Sequence, residues 1–235
     1  MAYNNKYVSV IVVAAGMGKR MGAEINKQYL MLENRPILAH TIQKFEDNEY
    51  IDEIIVVTRD EEREYCKREV VCRYSFNKVV HIVAGGEERQ DSVYNGLMHA
   101  NKLCDIVLIH DGVRPFIKND EITECIKAVL EYEACVIGVP VKDTIKVIDD
   151  TNTIIDTPAR NTLWAVHTPQ AFAYKLIVKA HENAKKYKQK ATDDSMLVEK
   201  LGHSVKMIRG SYENIKITTP EDLKIAETFS KGERI

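Results

Sequence analysis

The fold of this chain is decided by Tyr7-Val-Ser-Val-Ile-Val-Val-Ala-Ala-Gly-Met-Gly-Lys-Arg20. The apolar, β-branched run from Val8 to Ala14 has no polar alternation, which predicts a strand buried on both faces. Gly16 and Gly18 follow directly, and glycines at such a turn let backbone N–H groups approach a phosphate closely. Parallel sheets bind ligands at the carboxyl ends of their strands, so this loop predicts a ligand site.

Four further runs of the same kind follow along the chain, each separated from the next by a segment with helical periodicity. They are Glu53 to Thr58, Val79 to Ala84, Asp105 to His110 and Cys135 to Pro140. This βαβ alternation predicts an α/β fold, in which a mostly parallel sheet is covered by helices. Polar loops after the third and fourth runs, at Gly85–Arg89 and Asp111–Pro115, should lie at the same sheet edge as the first loop.

One segment, residues 141–166, breaks this alternation. Thr144 to Ile148 and Thr153 to Ile155 flank the turn-like Asp149-Asp-Thr-Asn152, with no helix between them, which predicts a β-hairpin. We expect a hairpin arm within a single domain of residues 1–235. Its apolar residues would pack against a second subunit, or else fold back on their own domain.

Composition limits the classes of partner. Thirty-three Lys and Arg residues stand against 35 Asp and Glu, a net charge of −2, so neither nucleic acid nor an anionic membrane would attract the whole protein. No apolar run approaches a membrane span, and no cleavage site follows the N-terminus. None of the five cysteines has a C-x-x-C partner, so reduced thiols and a cytoplasmic location are expected.

The glycine loop does not fit the common nucleotide motifs. A dinucleotide-binding loop needs a third glycine, where this chain has Met21, and an acid near the end of the second strand, where it has Thr58-Arg59. A P-loop needs Ser or Thr after its Gly-Lys, and here Arg20 follows. These differences argue against a nicotinamide-dependent oxidoreductase and against a P-loop enzyme.

Basic residues dominate the loop instead. Lys19, Arg20 and Lys27 could converge where a triphosphate binds, although a tight turn with solvated basic residues would look the same. Asp111, at the end of the fourth run, suits Mg²⁺, which takes one or two carboxylates and completes its shell with phosphate oxygens and water. The alternative is that Asp111 pairs with Arg114 and only shapes the loop.

Two other segments are weak evidence for a site by themselves, and they support one only in combination with these residues. Gly85 to Ser92 leads into a helix, and it predicts either a loop that contacts a base or ribose, or simply a capped helix. Lys216 is expected in a short strand before a helix that begins at Pro220, where Thr219 would cap it. A lone lysine in that position is usually solvated.

Taken together, these motifs resemble the sugar-phosphate nucleotidyltransferases, and within them the 2-C-methyl-D-erythritol 4-phosphate cytidylyltransferase family. The resemblance extends from Tyr7 to Glu227 and is carried by Ala14–Met21, Lys27–Leu30, Gly85–Ser92, His110–Pro115, Pro140–Lys146, Leu163–Gln170 and Asn214–Lys216. It implies a Rossmann-like domain with a dimerising arm, CTP and a polyol phosphate as substrates, Mg²⁺ as cofactor, and pyrophosphate as leaving group. Val113 and Glu87 stand where relatives often have Ala and Asp.

The resemblance also implies roles for individual residues. Arg20 and Lys27 would stabilise charge at the α-phosphate, with Gly18 and Lys19 in the same phosphate loop. The cytosine would be held by Ala14, Ala15, Gly86, Glu87 and Ser92, while Gly16 and Asp111 would lie near the ribose and the metal. Arg160 and Lys216 would position the acceptor, in a pocket completed by Arg114, Thr144, Thr168 and Thr192. Thr144 and Arg160 would reach across from the partner's arm.

Two alternatives stay open from the sequence. Ribitol-5-phosphate cytidylyltransferases share the CTP loop, the arm and the dimer, and differ in their acceptor; the segments Pro140–Lys146 and Leu163–Val166 favour methylerythritol phosphate. A binding-only regulatory domain would keep the sheet, but it would have no need for Arg20, Lys27, Asp111 and Lys216 together.

Overall fold

The computed structural model of the chain describes residues 3–16 and 26–231. Its strands are β1 (Tyr7–Val13), β2 (Met31–Leu32), β3 (Arg35–Pro36), β4 (Glu53–Thr58), β5 (Val79–Ala84), β6 (Cys104–Asp111), β7 (Ala134–Pro140), β8 (Val147–Ile148), β9 (Ile154–Asp156), β10 (Trp164–Ala173) and β11 (Lys206–Arg209). Its α-helices are α1 (Ile37–Glu46), α2 (Arg63–Cys66), α3 (Arg89–Leu97), α4 (Asn119–Tyr132), α5 (Tyr174–Lys186), α6 (Asp194–Lys200) and α7 (Pro220–Ser230).

Seven of these strands form one sheet in the order β11-β7-β10-β6-β1-β4-β5. Neighbouring strands are parallel except at β10, which runs antiparallel to both β6 and β7. The predicted α/β fold with a mostly parallel sheet is therefore confirmed. The carboxyl ends of β1 and β6 lie side by side, since Val13 pairs with Asp111.

The hydrophobic core lies on both faces of the sheet. Alternate residues of β1 point to opposite sides: Val10 packs in the cluster that contains α1 and α4, and Ile11 packs in the cluster that contains α3 and α5. Both side chains are fully buried. This two-sided burial explains why the strand sequences are apolar without alternation.

The five predicted strand runs are all strands in the structure, with bounds within a residue or two. The sequence interpretation missed β10 and β11. It also placed Lys216 in a strand, whereas residues 213–218 form an irregular segment before α7. The helix after this segment is as predicted, because Pro220 is its first residue and the Thr219 side chain accepts a hydrogen bond from the Asp222 N–H.

The predicted hairpin is present. β8 pairs antiparallel with β9, and the turn between them is held by Asp149, whose carboxylate accepts hydrogen bonds from the backbone N–H groups of Thr151 and Thr153. Residues 164–166, which the sequence placed in the arm, belong to β10 and pair with β7. The protruding part of the arm is therefore shorter than predicted.

Within residues 3–16 and 26–231, no helix combines the length and the apolar character needed to cross a membrane.

Candidate active site

A cleft of about 220 Å³ opens at the carboxyl edge of the sheet, between the ends of β1 and β6 and the loop that precedes α3. Nine residues predicted for the site line it: Ala14, Ala15, Gly16, Lys27, Gly86, Glu87, Ser92, Asp111 and Lys216. The structure therefore brings together segments that are far apart in sequence. Gly18, Lys19 and Arg20 lie outside the described residues.

Asp111 is the electrostatic centre of this cleft. Three cations surround its carboxylate: Lys216 Nζ at 2.8 Å, Arg89 Nε at 3.3 Å and Arg114 Nε at 3.5 Å. Burial raises the pKa of Asp111, but the charges of these cations outweigh burial and hold the pKa well below its ordinary value. Asp111 is therefore ionised at neutral pH, and it fixes three cationic side chains at one point.

A second buried carboxylate shares Arg89. The guanidinium Nη1 donates to Asp194 Oδ2 at 2.7 Å, while Nε faces Asp111. Burial favours a lower pKa for Arg89, but the two carboxylates outweigh it and raise the pKa. Arg89 thus bridges Asp111 to the start of α6. The sequence interpretation quoted Arg89 in a motif without a role and did not find Asp194.

Gln170 explains why Asp194 lies where Arg89 can reach it. Its side chain is 1% exposed, and its Oε1 accepts from the backbone N–H groups of Asp194 and Ser195 at 3.0 and 3.1 Å. Its Nε2 donates to Asp193 Oδ2 at 2.8 Å. One amide therefore attaches the N-terminus of α6 to β10.

Hydrogen bonds also fix the part of the site around Thr168 and His110. Thr168 Oγ1 accepts from the Asp111 N–H at 3.0 Å and lies 3.1 Å from His110 Nδ1. His110 Nε2 faces the Arg114 carbonyl oxygen at 3.1 Å, so Nε2 carries the proton and Nδ1 accepts from Thr168. Burial lowers the pKa of His110 to about 4. His110 is therefore a neutral hydrogen-bonding residue.

Asn214 links this part of the site to the loop of Lys216. Its Nδ2 donates to the Thr168 backbone carbonyl oxygen at 2.9 Å, and the backbone carbonyl oxygen of Asn214 accepts from Arg114 Nη1 at 2.7 Å. Asn214 is fully buried. The segment before α7 is thereby held against β10 and the loop after β6, which brings Lys216 to Asp111.

The loop before α3 depends on close packing at Gly85. A Cβ there would lie 2.6 Å from Ala15 Cβ and 2.8 Å from Ser92 Oγ, so glycine is required. Ser92 Oγ accepts from the Gly86 N–H at 3.0 Å and donates to the Glu88 carbonyl oxygen. The two predicted cytosine loops, at Ala15 and at Gly86, are therefore in contact.

Lys27 lies in a 3-10 turn, Lys27–Tyr29, and lines the cleft. The ring of Tyr29 is buried beneath this turn, and its hydroxyl lies 3.0 Å from Thr58 Oγ1 at the end of β4. Burial raises the pKa of Tyr29, so it stays a neutral donor. The turn is anchored to the sheet by its third residue.

Five residues predicted for the acceptor pocket do not line the cleft in the described part of this chain, and three of them are exposed. Thr144 and Arg160 are exposed on the arm, where Arg160 Nη1 donates to the Lys142 carbonyl oxygen at 2.9 Å. Thr192 is exposed just before α6, with its hydroxyl 3.8 Å from Met196 Sδ. Arg114 and Thr168 are buried next to Asp111 instead, as the networks above describe.

The assembled groups stabilise negative charge. Lys27, Arg89 and Lys216 line one cleft together with the carboxylates of Asp111, Glu87 and Glu88, and Gly16 and Gly86 form part of its wall. Such an arrangement binds a phosphorylated ligand and neutralises charge during transfer of a phosphoryl or nucleotidyl group. Fold and site together define a nucleotide-binding transferase.

Comparison with known proteins places the chain more narrowly. Residues 8–231 match the family described as 2-C-methyl-D-erythritol 4-phosphate cytidylyltransferase (IspD). A protein of that name from Clostridioides difficile is 54% identical over 226 residues, which cover 96% of this chain and 94% of the relative. Another from Alkaliphilus oremlandii is 53% identical and covers 98% of both chains. The crystal structure of a 4-diphosphocytidyl-2C-methyl-D-erythritol synthase from Anaerococcus prevotii has a TM-score of 0.87, with 34% identity and 97% of each chain covered.

The chain therefore belongs to the 2-C-methyl-D-erythritol 4-phosphate cytidylyltransferase family. This confirms the resemblance seen in the sequence and the predicted enzyme class, a nucleotidyltransferase. The oxidoreductase and the binding-only domain are set aside.

The packing of Gln170 gives a first prediction. Gln170→Leu keeps the side-chain volume close to that of glutamine but leaves the N–H groups of Asp194 and Ser195 without their acceptor in a buried place. We expect the free energy of unfolding to fall by about 3 kcal/mol, since each buried unpaired polar group costs about 1 to 3 kcal/mol. Urea unfolding measures this.

The control is Gln43→Leu on α1, whose partners are the half-buried Arg35 and the exposed Asp47. It should change the free energy of unfolding by no more than about 0.5 kcal/mol. Equal effects of the two substitutions would contradict the role given to Gln170.

Proposed function

We propose that this chain transfers CMP from CTP to 2-C-methyl-D-erythritol 4-phosphate, giving 4-diphosphocytidyl-2-C-methyl-D-erythritol and pyrophosphate. One observation carries the proposal: in a chain of this family, Asp111 gathers Lys216, Arg89 and Arg114 at the cleft that Lys27 also lines. These are the charges that a transfer between two phosphorylated substrates requires.

The reaction is an in-line displacement at phosphorus. A phosphate oxygen of the acceptor attacks the α-phosphorus of CTP, the bond from that phosphorus to the bridging oxygen of the β-phosphate breaks, and pyrophosphate leaves with the electron pair. A phosphate monoester is largely dianionic at neutral pH, so its attacking oxygen needs no general base. The protein's task is to align two polyanions and to neutralise the charge between them.

Lys27 is the described cation best placed for the triphosphate. It lines the cleft together with Gly16 and Asp111. Charge that builds up on the α-phosphate and on the leaving pyrophosphate would be stabilised by Lys27, with Arg20 and Lys19 assigned the same task by the family resemblance. The cytosine and ribose would lie between Ala14 to Gly16 and the loop of Gly86, Glu87 and Ser92.

Asp111 fits Mg²⁺ as a ligand. Its Oδ1 accepts one hydrogen bond, from Arg89, and keeps a free lone pair for a hard cation. Among the described residues there is no cluster of three or more side chains able to hold a metal, which agrees with Mg²⁺ held mainly by nucleotide phosphates and water. When bound, Mg²⁺ would neutralise phosphate charge and hold the phosphate chain in one geometry.

Lys216 and the residues beside it would hold the acceptor. Lys216 is partly exposed and can exchange its contact with Asp111 for a substrate phosphate. Arg114 and Thr168 both contact Asp111, and Thr192 lies just before α6, whose position Gln170 fixes. This half of the site lacks the residues that the resemblance assigns to the arm, Thr144 and Arg160.

A homodimer would complete the acceptor pocket. The arm exposes large apolar side chains that a monomer leaves in water, among them Ile154 at 57% and Ile155 at 63% exposure, and contiguous exposed apolar surface of this kind marks an interface. Arg160 sits on the same arm and does not line the cleft of its own chain in the described residues. We therefore assign Thr144 and Arg160 to the partner's site.

A cytoplasmic location is part of the proposal. All five cysteines are free thiols, and all but Cys72 are buried, as is usual in a reducing compartment.

Replacing Lys27 tests the chemistry. We expect Lys27→Ala to lower kcat by about two or more orders of magnitude, the scale seen when a stabiliser of transition-state charge is removed, while the melting temperature stays close to that of the parent protein. Lys44→Ala, at an exposed lysine on α1, should leave turnover unchanged. Near-normal turnover of pure, folded Lys27→Ala would remove Lys27 from the mechanism.

Arg160 tests the shared site. Arg160→Ala should raise the KM of the acceptor more than that of CTP, because Arg160 would contact only the acceptor. The control is Arg209→Ala, at an exposed arginine on β11. A rise confined to the KM of CTP would refute the assignment.

Mixed dimers show whether the Arg160 that serves a cleft comes from the same chain or from the partner. Co-expression of Lys27→Ala and Arg160→Ala chains gives heterodimers in which one of two sites is intact, provided that Arg160 crosses to the partner. Random pairing would then restore about a quarter of parental activity, as expected for a two-fold dimer. No recovery would mean that Arg160 serves the cleft of its own chain.

A further inference from the structure

A half-buried carboxylate lies beneath the turn that carries Lys27. Glu62 ends the 3-10 turn Asp60–Glu62, which follows β4. Its Oε1 accepts a hydrogen bond from the Asn26 side-chain amide, and its Oε2 accepts from Gln28 Nε2 at 3.1 Å. Asn26 and Gln28 are the two neighbours of Lys27 in the chain, so one carboxylate holds both flanks of the lysine.

The sheet holds this carboxylate in turn. Thr58 Oγ1, at the end of β4, donates to Glu62 Oε2 at 3.0 Å, and the Tyr29 hydroxyl lies 3.0 Å from the same Oγ1. Because Thr58 donates its one hydroxyl hydrogen to Glu62, it must accept the hydrogen bond from the Tyr29 hydroxyl. The chain of donors therefore runs from Tyr29 through Thr58 to Glu62, and Tyr29 and Thr58 are both buried.

Each of these contacts constrains the backbone on which Lys27 stands. Gln28 is 1% exposed, so its amide has little water to replace Glu62 if that partner is lost. A lysine side chain has large rotamer freedom, and its contribution to catalysis depends on where its backbone holds it. Displacement of a catalytic group by about 1 Å can cost about a hundredfold in rate.

The neighbouring acid has no such connections. Glu61, in the same turn, is 60% exposed and pairs with Arg59 on the surface. The run Asp60-Glu61-Glu62 therefore contains one carboxylate that holds the neighbours of Lys27 and two exposed ones that pair with arginines. Glu61 and Glu62 thus offer a matched pair for experiment.

We propose that Glu62 is a positioning residue for the transfer reaction, which sets the place of Lys27 by holding Asn26 and Gln28. The inference rests on the proposed function, because it needs Lys27 to act on the triphosphate. Glu62 itself touches neither substrate. Its effect on turnover should therefore pass entirely through Lys27.

A double-mutant cycle on the full-length protein tests this. In the parental background, Glu62→Ala should lower kcat by about tenfold to a hundredfold, with a smaller change in the KM of either substrate. In the Lys27→Ala background, the same substitution should change kcat by less than about twofold, since the group that it positions is already gone. Glu61→Ala should have no effect in either background. Melting temperatures establish that each variant is folded.

The outcomes separate the two proposals. Equal losses from Glu62→Ala in both backgrounds would mean that Glu62 supports the fold generally, and parental turnover of Glu62→Ala would equally overturn its role. Parental turnover of Lys27→Ala would instead overturn the mechanism on which the inference rests. If Glu62→Ala does not fold, Gln28→Met, which removes the same hydrogen bond from its other end, takes its place in the cycle with the same expected results.

Discussion

The site depends on one buried carboxylate that three cations share. Asp111 ends a strand in the middle of the sheet, and its charge would be costly there without compensation. Compensation comes from Arg89 at the start of α3, Arg114 in the loop after β6 and Lys216 before α7. Because each cation belongs to a different segment, the ion pairs bring three segments to one point.

This arrangement also leaves positive charge for a ligand. Asp111 and Asp194 carry two negative charges, and Arg89, Arg114 and Lys216 carry three positive ones, so these five side chains have a net charge of +1 before Lys27 adds another. A chain with a net charge of −2 thereby carries a locally positive ion-pair cluster at the cleft. The local charge cluster, and not the overall charge of the chain, determines which ligand binds.

Much of the fold could be predicted from local patterns. The runs of β1 and β4 are apolar on both faces because helices cover both sides of these strands. The runs of β1, β5 and β6 are each followed by a recognisable loop. β10 could not be found in this way, since His167, Thr168 and Gln170 give its sequence a polar appearance. Two of these residues are buried and make internal hydrogen bonds: Thr168 links His110 to the Asp111 backbone, and Gln170 holds α6.

The site residues likewise fall into those that the sequence predicts and those that it does not. Asp111, Lys27 and Lys216 could be predicted because each belongs to a motif that resembles a known family. Asp194, Gln170 and Glu62 could not, because their importance comes from contacts between distant segments. A glutamate in an acidic run gives no local sign that it faces a buried amide.

Pyrophosphate release with CTP and Mg²⁺ tests the central claim most directly. 2-C-methyl-D-erythritol 4-phosphate and D-ribitol 5-phosphate would be offered in parallel as acceptors to the purified protein. The account predicts release with the methylerythritol phosphate at a kcat/KM well above that for ribitol phosphate. Release with ribitol phosphate alone would contradict the assigned acceptor, and no release with either acceptor would contradict the transfer itself.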